Sequence, residues 1–262
     1  MAPLILRNLS WALTTLLEVV LLSYLVRKKL YRSYPAFFTY VLMAITQSVI
    51  IAATYQMAGA RSDAAYNIAW GTQAVMLCAR WLAVMEIAKK TLATYGGIWA
   101  MASRLLLGMG ACVFVYAIVA SRLHWNLAIL NADRAVEFGT AGFIVGMFLF
   151  VRYYGIAMPP FDRMLAIGFC LYSCFVVIND SVYENWLRFA GALWSYMDLV
   201  TYMASLLLWI MAARNYAEAH SRVAQPELTP ERYAELSQKL NSRLLLLNHR
   251  LDHLFRSEDS RS

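Results

Sequence analysis

The chain has 262 residues, of which 61% are hydrophobic and only 15% charged, with a mean hydropathy of +0.51 and a formal net charge of +7. That leaves too little polar surface for a soluble domain and excludes disordered, collagenous and disulfide-scaffold chains. Seven apolar runs each reach the ~20 residues that cross a ~30 Å hydrocarbon layer, so the expected fold is all-α: a polytopic membrane protein with seven transmembrane helices.

The predicted spans cover residues 4–26, 36–58, 65–88, 99–121, 128–151, 164–184 and 190–213. The first reads as a retained span and not a signal peptide, because its basic cluster Arg27-Lys28-Lys29 follows the apolar run instead of preceding it. Alternate loops hold Arg27, Lys28, Lys29 and Arg32, then Lys89 and Lys90, then Arg152 and Arg163, with Arg214 after the last span. These outweigh Arg7, Arg61, Arg122 and Arg188 on the other side, which predicts an N-terminus outside and a C-terminus inside. Tyr66, Trp70, Trp125, Tyr183, Trp186 and Trp194 fall near the outer ends as an interfacial belt would. The basic excess lies among residues 1–214, with 16 Lys and Arg against 9 Asp and Glu, so it reads as orientation and not as a nucleic-acid footprint. Cys78, Cys112, Cys170 and Cys174 all lie in apolar runs and are expected to pack as small hydrophobes.

No proline falls well inside a span, which weighs against the broken helices of many secondary transporters. Beyond the seventh span, residues 215–228 read as a linker. Thr229 as N-cap and Pro230 at the first helical position then open a cytoplasmic amphipathic helix within residues 229–262. Tyr233, Leu236, Leu240, Leu244, Leu247, Leu251 and Leu254 share one face of it. That face over residues 229–256 needs a cover: the protein's own loops, the lipid bilayer, a second copy in a homodimer, or a cytoplasmic signalling partner.

Ionisable groups inside spans are costly and usually face the bundle interior. Glu18 of the first span and Arg80 of the third lie at matched depth toward the inner side, and the spacing predicts an interhelical ion pair between them. Asp133 and Glu137 share a face of the fifth span at i and i+4, and Asp198 of the seventh lies at nearly the depth of Glu137. Arg134 is the nearby cation, Asp180 adds a further carboxylate, and Trp194 sits one turn before Asp198. The acidic excess makes Arg134, Glu137, Asp198, Asp133 and Trp194 a candidate ligand or ion pocket, with a structural triad as the competing reading. Gly139, Gly142 and Gly146 offer either an internal packing face or a dimer seam.

Other chemistry is missing. No lysine lies deep in a span to carry retinal, and His124 is the only histidine before the tail, so neither a membrane zinc site nor a Ser-His nucleophile can be assembled. No metal, cofactor or enzymatic activity is expected.

At Leu30-Tyr31-Arg32-Ser33-Tyr34-Pro35-Ala36-Phe37-Phe38-Thr39-Tyr40 the chain resembles a group of uncharacterised bacterial seven-helix membrane proteins, a likeness that continues to Glu86-Ile87 and the charged start of the fifth span. The resemblance implies the seven-helix topology and a place in the bacterial cytoplasmic membrane, and transfers no site. The layout is also similar to seven-helix input regions of bacterial sensor kinases. The expected function is a membrane sensor or interaction module with an outward-facing polar pocket and a helical cytoplasmic output. A small-solute, ion or proton transporter using the intramembrane carboxylates is the alternative.

Overall fold

The computed structural model describes the backbone of residues 2–59, 62–93, 96–120, 125–185, 191–222 and 238. Side chains are described within these ranges except at 2–10, 96, 120, 125–128, 130, 179–185, 191–196, 198 and 217–222. The chain divides into two compact units, Met1–Ala219 and His220–Ser262. Residues 215–222 of the expected linker continue α8 as helix to Arg222, while residues 223–228 and the amphipathic helix expected over 229–256, save Gln238, lie outside the described residues.

Among the described residues there are eight helices and no strand: α1 (Ala2–Arg27), α2 (Leu30–Ser33), α3 (Pro35–Ala58), α4 (Asp63–Leu92), α5 (Gly96–Ala120), α6 (Trp125–Tyr154), α7 (Pro160–Asn185) and α8 (Gly191–Arg222). Five helices, α3 to α7, are long and apolar enough to cross a membrane, as expected of a multi-pass membrane protein. The side chains of α1 and α8 are described only in part, chiefly from Trp11 and from Met197 onward.

Local chemistry sets the helix ends. Ser62 is the N-cap of α4, its Oγ accepting from the Ala65 N–H at 3.1 Å, with Asp63 in the first turn and Lys89 and Lys90 in the last, each sign matched to the helix dipole. Pro35 and Pro160 open α3 and α7, where a missing N–H costs nothing. After α6, Gly155 has φ +65°, and the N–H groups of Gly155 and Ile156 donate to the carbonyls of Arg152 and Val151. This 5→2 and 6→1 pair is a Schellman stop, and its left-handed position favours glycine. Lys29, at φ 55°, makes the same left-handed excursion between α1 and α2.

α4 is central and packs against α3, α5, α6 and α7. Burial is inverted relative to a soluble protein. Large apolar side chains such as Leu16, Val49, Leu107, Phe114, Phe138 and Leu149 are exposed around the perimeter, whereas Glu18, Arg80, Glu137, Thr140, Ser173 and Ser205 are buried. An aqueous surface could not carry so much contiguous apolar area, but hydrocarbon can.

One half of the bundle is closed by an aromatic cluster. The Trp209 ring of α8 lies 4.8 Å from Phe169 of α7 and 5.4 and 5.9 Å from Phe37 and Tyr40 of α3, centroid to centroid, and all four are buried. Its indole N–H donates to the Leu165 carbonyl at 3.2 Å, and its ring rests on Gly168, where a Cβ would collide with it. Ser205 Oγ donates to the Gly168 carbonyl at 3.0 Å, so α7 and α8 meet at a glycine that spacing alone did not single out. The glycines of α6 divide. Gly139 is buried, its Cβ position 3.0 Å from Met109 Cε, while Gly142 and Gly146 face open space.

Candidate functional site

The centre of the bundle is built on Arg80, which α4 places seven residues after Gln73 and therefore on the same face. Asp133 and Glu137, four residues apart on α6, form the opposing face. Arg80 Nη1 contacts Glu137 Oε1 directly and lies 3.9 Å from Asp133 Oδ1. With Arg80 4% and Glu137 1% exposed, this is a charge pair in hydrocarbon, where each ion is affordable only because of the other. Two rings flank the guanidinium, Tyr172 of α7 with its centroid at 5.0 Å and Tyr40 of α3 at 5.9 Å.

A chain of amides continues from the ion pair. Gln73 Nε2 donates to Asp133 Oδ2 at 3.3 Å, and Gln47 Nε2 of α3 donates to Gln73 Oε1 at 3.2 Å and to Thr72 Oγ1 at 3.3 Å. α3, α4 and α6 are thus joined at mid-bundle by one run of polar contacts. Beside it, Tyr202 Oη of α8 donates to Glu18 Oε1 of α1 at 2.6 Å, and the Tyr172 and Tyr202 rings meet at 5.6 Å.

The expected ion pair between Glu18 and Arg80 is replaced by these two arrangements. Matched depth says nothing about azimuth: Arg80 faces α6, while Glu18 faces α8. A helical side chain also leans toward its own N-terminus, which carries the long Arg80 side chain to the level of Glu137. Arg80, expected at the depth of Glu18, therefore reaches Glu137 and Asp133 instead. Arg134 is half-buried on α6, but the cation that reaches Glu137 and Asp133 in the described ion pairs is Arg80. The side chains of Asp198, Trp194 and Asp180 lie outside the described residues.

No family model, curated protein or solved structure matches the chain. The site must be read from its own chemistry.

At the basic end, a second cluster involves the motif that opens α3. Glu86, whose place next to Lys89 and Lys90 near the end of the third apolar run would suit a solvated boundary charge, accepts from the backbone N–H groups of Phe37 at 2.9 Å and Ala36 at 3.3 Å, so α4 supplies the anion at the α3 N-terminus. Tyr34 Oη donates to Asp162 Oδ1, a buried carboxylate in the first turn of α7, and Lys90 Nζ lies 4.0 Å from the Tyr34 ring centroid. Burial, and then the Asp162 carboxylate, hold the Tyr34 phenol well above its usual range, so it remains the donor. The rings of Phe161 and Tyr216 pack around it at 4.7 and 6.5 Å.

Among the described residues no group of three or more His, Cys, Asp or Glu could hold a metal ion. Gln73 and Arg80 stand seven residues apart in the third apolar run, a repeat legible in the sequence, whereas Gln47, Tyr40, Tyr172 and Tyr202 belong to no such pattern. A glutamine at the middle of an apolar span, and Tyr172 and Tyr202 near the middle of theirs, were the available signals.

Proposed function

We propose that the chain is a non-enzymatic membrane sensor or interaction module of the bacterial cytoplasmic membrane. In this reading it has seven spans, an external N-terminus, and a cytoplasmic helix over 229–256 as output to a signalling partner or a second copy. The likeness to bacterial seven-helix proteins and to sensor-kinase input regions belongs to this proposal. The observation that carries it is the Arg80–Glu137–Asp133 cluster, a buried charge centre shared between packed helices and continued by Gln73 and Gln47. Such a centre can have two discrete arrangements, because moving one partner leaves a charge uncompensated in hydrocarbon and forces a neighbour to follow. Continuous α4 and α6 helices through the charges support a sensor over a transporter that binds cargo with unwound backbone.

Glu137→Gln together with Asp133→Asn tests the reading in reconstituted vesicles. The expected result is altered protease sensitivity of residues 220–262, with no change in proton or potassium flux under an imposed pH gradient. Flux in the native chain that the double variant abolishes identifies a transporter and overturns the sensor.

A further inference from the structure

A cleft of about 470 Å³ opens between α3 and α4, with Thr46, Gln47 and Ile50 on one wall and Ile68, Gly71, Thr72 and Val75 on the other. Both helices are membrane-crossing by length and composition, so its mouth opens on hydrocarbon. Ile50, Ile68 and Val75 are exposed around it, and a Cβ built on Gly71 meets nothing within 4 Å.

The polar atoms of the cleft have a fixed sense. The half-buried amide chain ends on the Asp133 carboxylate, which can only accept, so Gln73 must turn its NH₂ to Asp133 and its Oε1 to Gln47. Gln47 must then present its NH₂ to Gln73, and the same NH₂ reaches Thr72 Oγ1, whose own proton goes to the Ile68 or Ala69 carbonyl. Gln47 Oε1 is left over and accepts no hydrogen bond among the described residues. Thr46 Oγ1 likewise spends its proton, on the Leu42 carbonyl at 2.8 Å. The cleft therefore offers acceptors and no spare donor.

We propose that the α3–α4 cleft binds an uncharged, membrane-dissolved molecule with an apolar body and a hydroxyl group, which donates to Gln47 Oε1. An ammonium would have to leave its hydration in an apolar groove without a counter-charge beside it. A phospholipid acyl chain brings only carbons and ester acceptors, so it can fill the volume but cannot satisfy Gln47. The inference stands whether the charge centre senses or transports, since it concerns a separate opening that reaches the centre only through Gln73.

The test is photolabelling of the full chain in phosphatidylethanolamine–phosphatidylglycerol vesicles with a diazirine-bearing octanol, compared with the methyl ether of the same probe. The expected result is saturable alcohol labelling within residues 43–50 and 68–76, with the ether weaker by roughly two- to tenfold, the value of one hydrogen bond. Gln47→Leu should bring the alcohol down to the level of the ether. Gly71→Leu, which points a side chain into open space, should block both. Equal labelling by alcohol and ether in the unaltered chain, or labelling indifferent to Gly71→Leu, would show that the cleft only accommodates lipid chains and would overturn the proposal. The comparison of the two probes needs no variant to fold.

Discussion

At Arg80 a guanidinium lies between two α6 carboxylates and two tyrosine rings, with Arg80 and Glu137 both buried. Removing one member leaves the other as an uncompensated ion, which in buried settings costs about 3–5 kcal/mol. Arg80→Gln and Glu137→Gln should therefore each lower the unfolding midpoint in detergent strongly, and the double variant should recover a large part of the loss. Glu18→Gln should add to Arg80→Gln without coupling but should couple to Tyr202→Phe, because Glu18 meets Tyr202 and not the guanidinium. Additivity between Arg80→Gln and Glu137→Gln, or strong coupling between Glu18 and Arg80, would reverse these assignments.

Between α7 and α8, specificity lies in a steric fit. Trp209 occupies the space over Gly168 while its N–H and the Ser205 hydroxyl bond to α7 carbonyls. Gly168→Ala puts a methyl group into the indole, and overpacking of this kind costs about 1–3 kcal/mol. Trp209→Leu in the same chain should relieve it, so the double variant should be more stable than the sum of the single effects predicts. Simple additivity in thermal unfolding would mean that α8 can shift aside. The apolar runs from which seven spans are read nearly coincide with α1 and α3 through α8, since each run is bounded by loop residues and charges. What faces what was not legible. Gly168 carries no local motif, and Glu18 and Arg80 share a depth but not a direction. Glu86 looks like a solvated boundary charge until α3 is seen to begin beside it.

Across the described residues, the exposed cations Arg27, Lys28, Lys29, Arg32, Lys89, Lys90, Arg152 and Arg163 belong to helix ends or loops at the end where α3 and α7 begin; Arg214, inside α8 and two residues before the Tyr216 that packs on Tyr34, lies at the same end, and exposed Arg104 lies two turns into α5. The two carboxylates described nearest to them, Glu86 and Asp162, are committed to the α3 N-terminus and to Tyr34, so they are poorly placed to offset that charge from outside. A positively charged end resists translocation, and short loops follow the Lys and Arg bias. Reporter fusions at residues 30, 93, 158 and 220 should therefore report the cytoplasm, and those at 60 and 123 the exterior. An external signal at 220 alone would mean that α8 does not cross, while inversion of every site would place the basic end outside. Replacing Arg27, Lys28, Lys29 and Arg32 by glutamine should weaken the orientation and produce mixed signals at 30 and 60. If the pattern stays intact in that variant, orientation is set by the later loops and not by the first basic cluster.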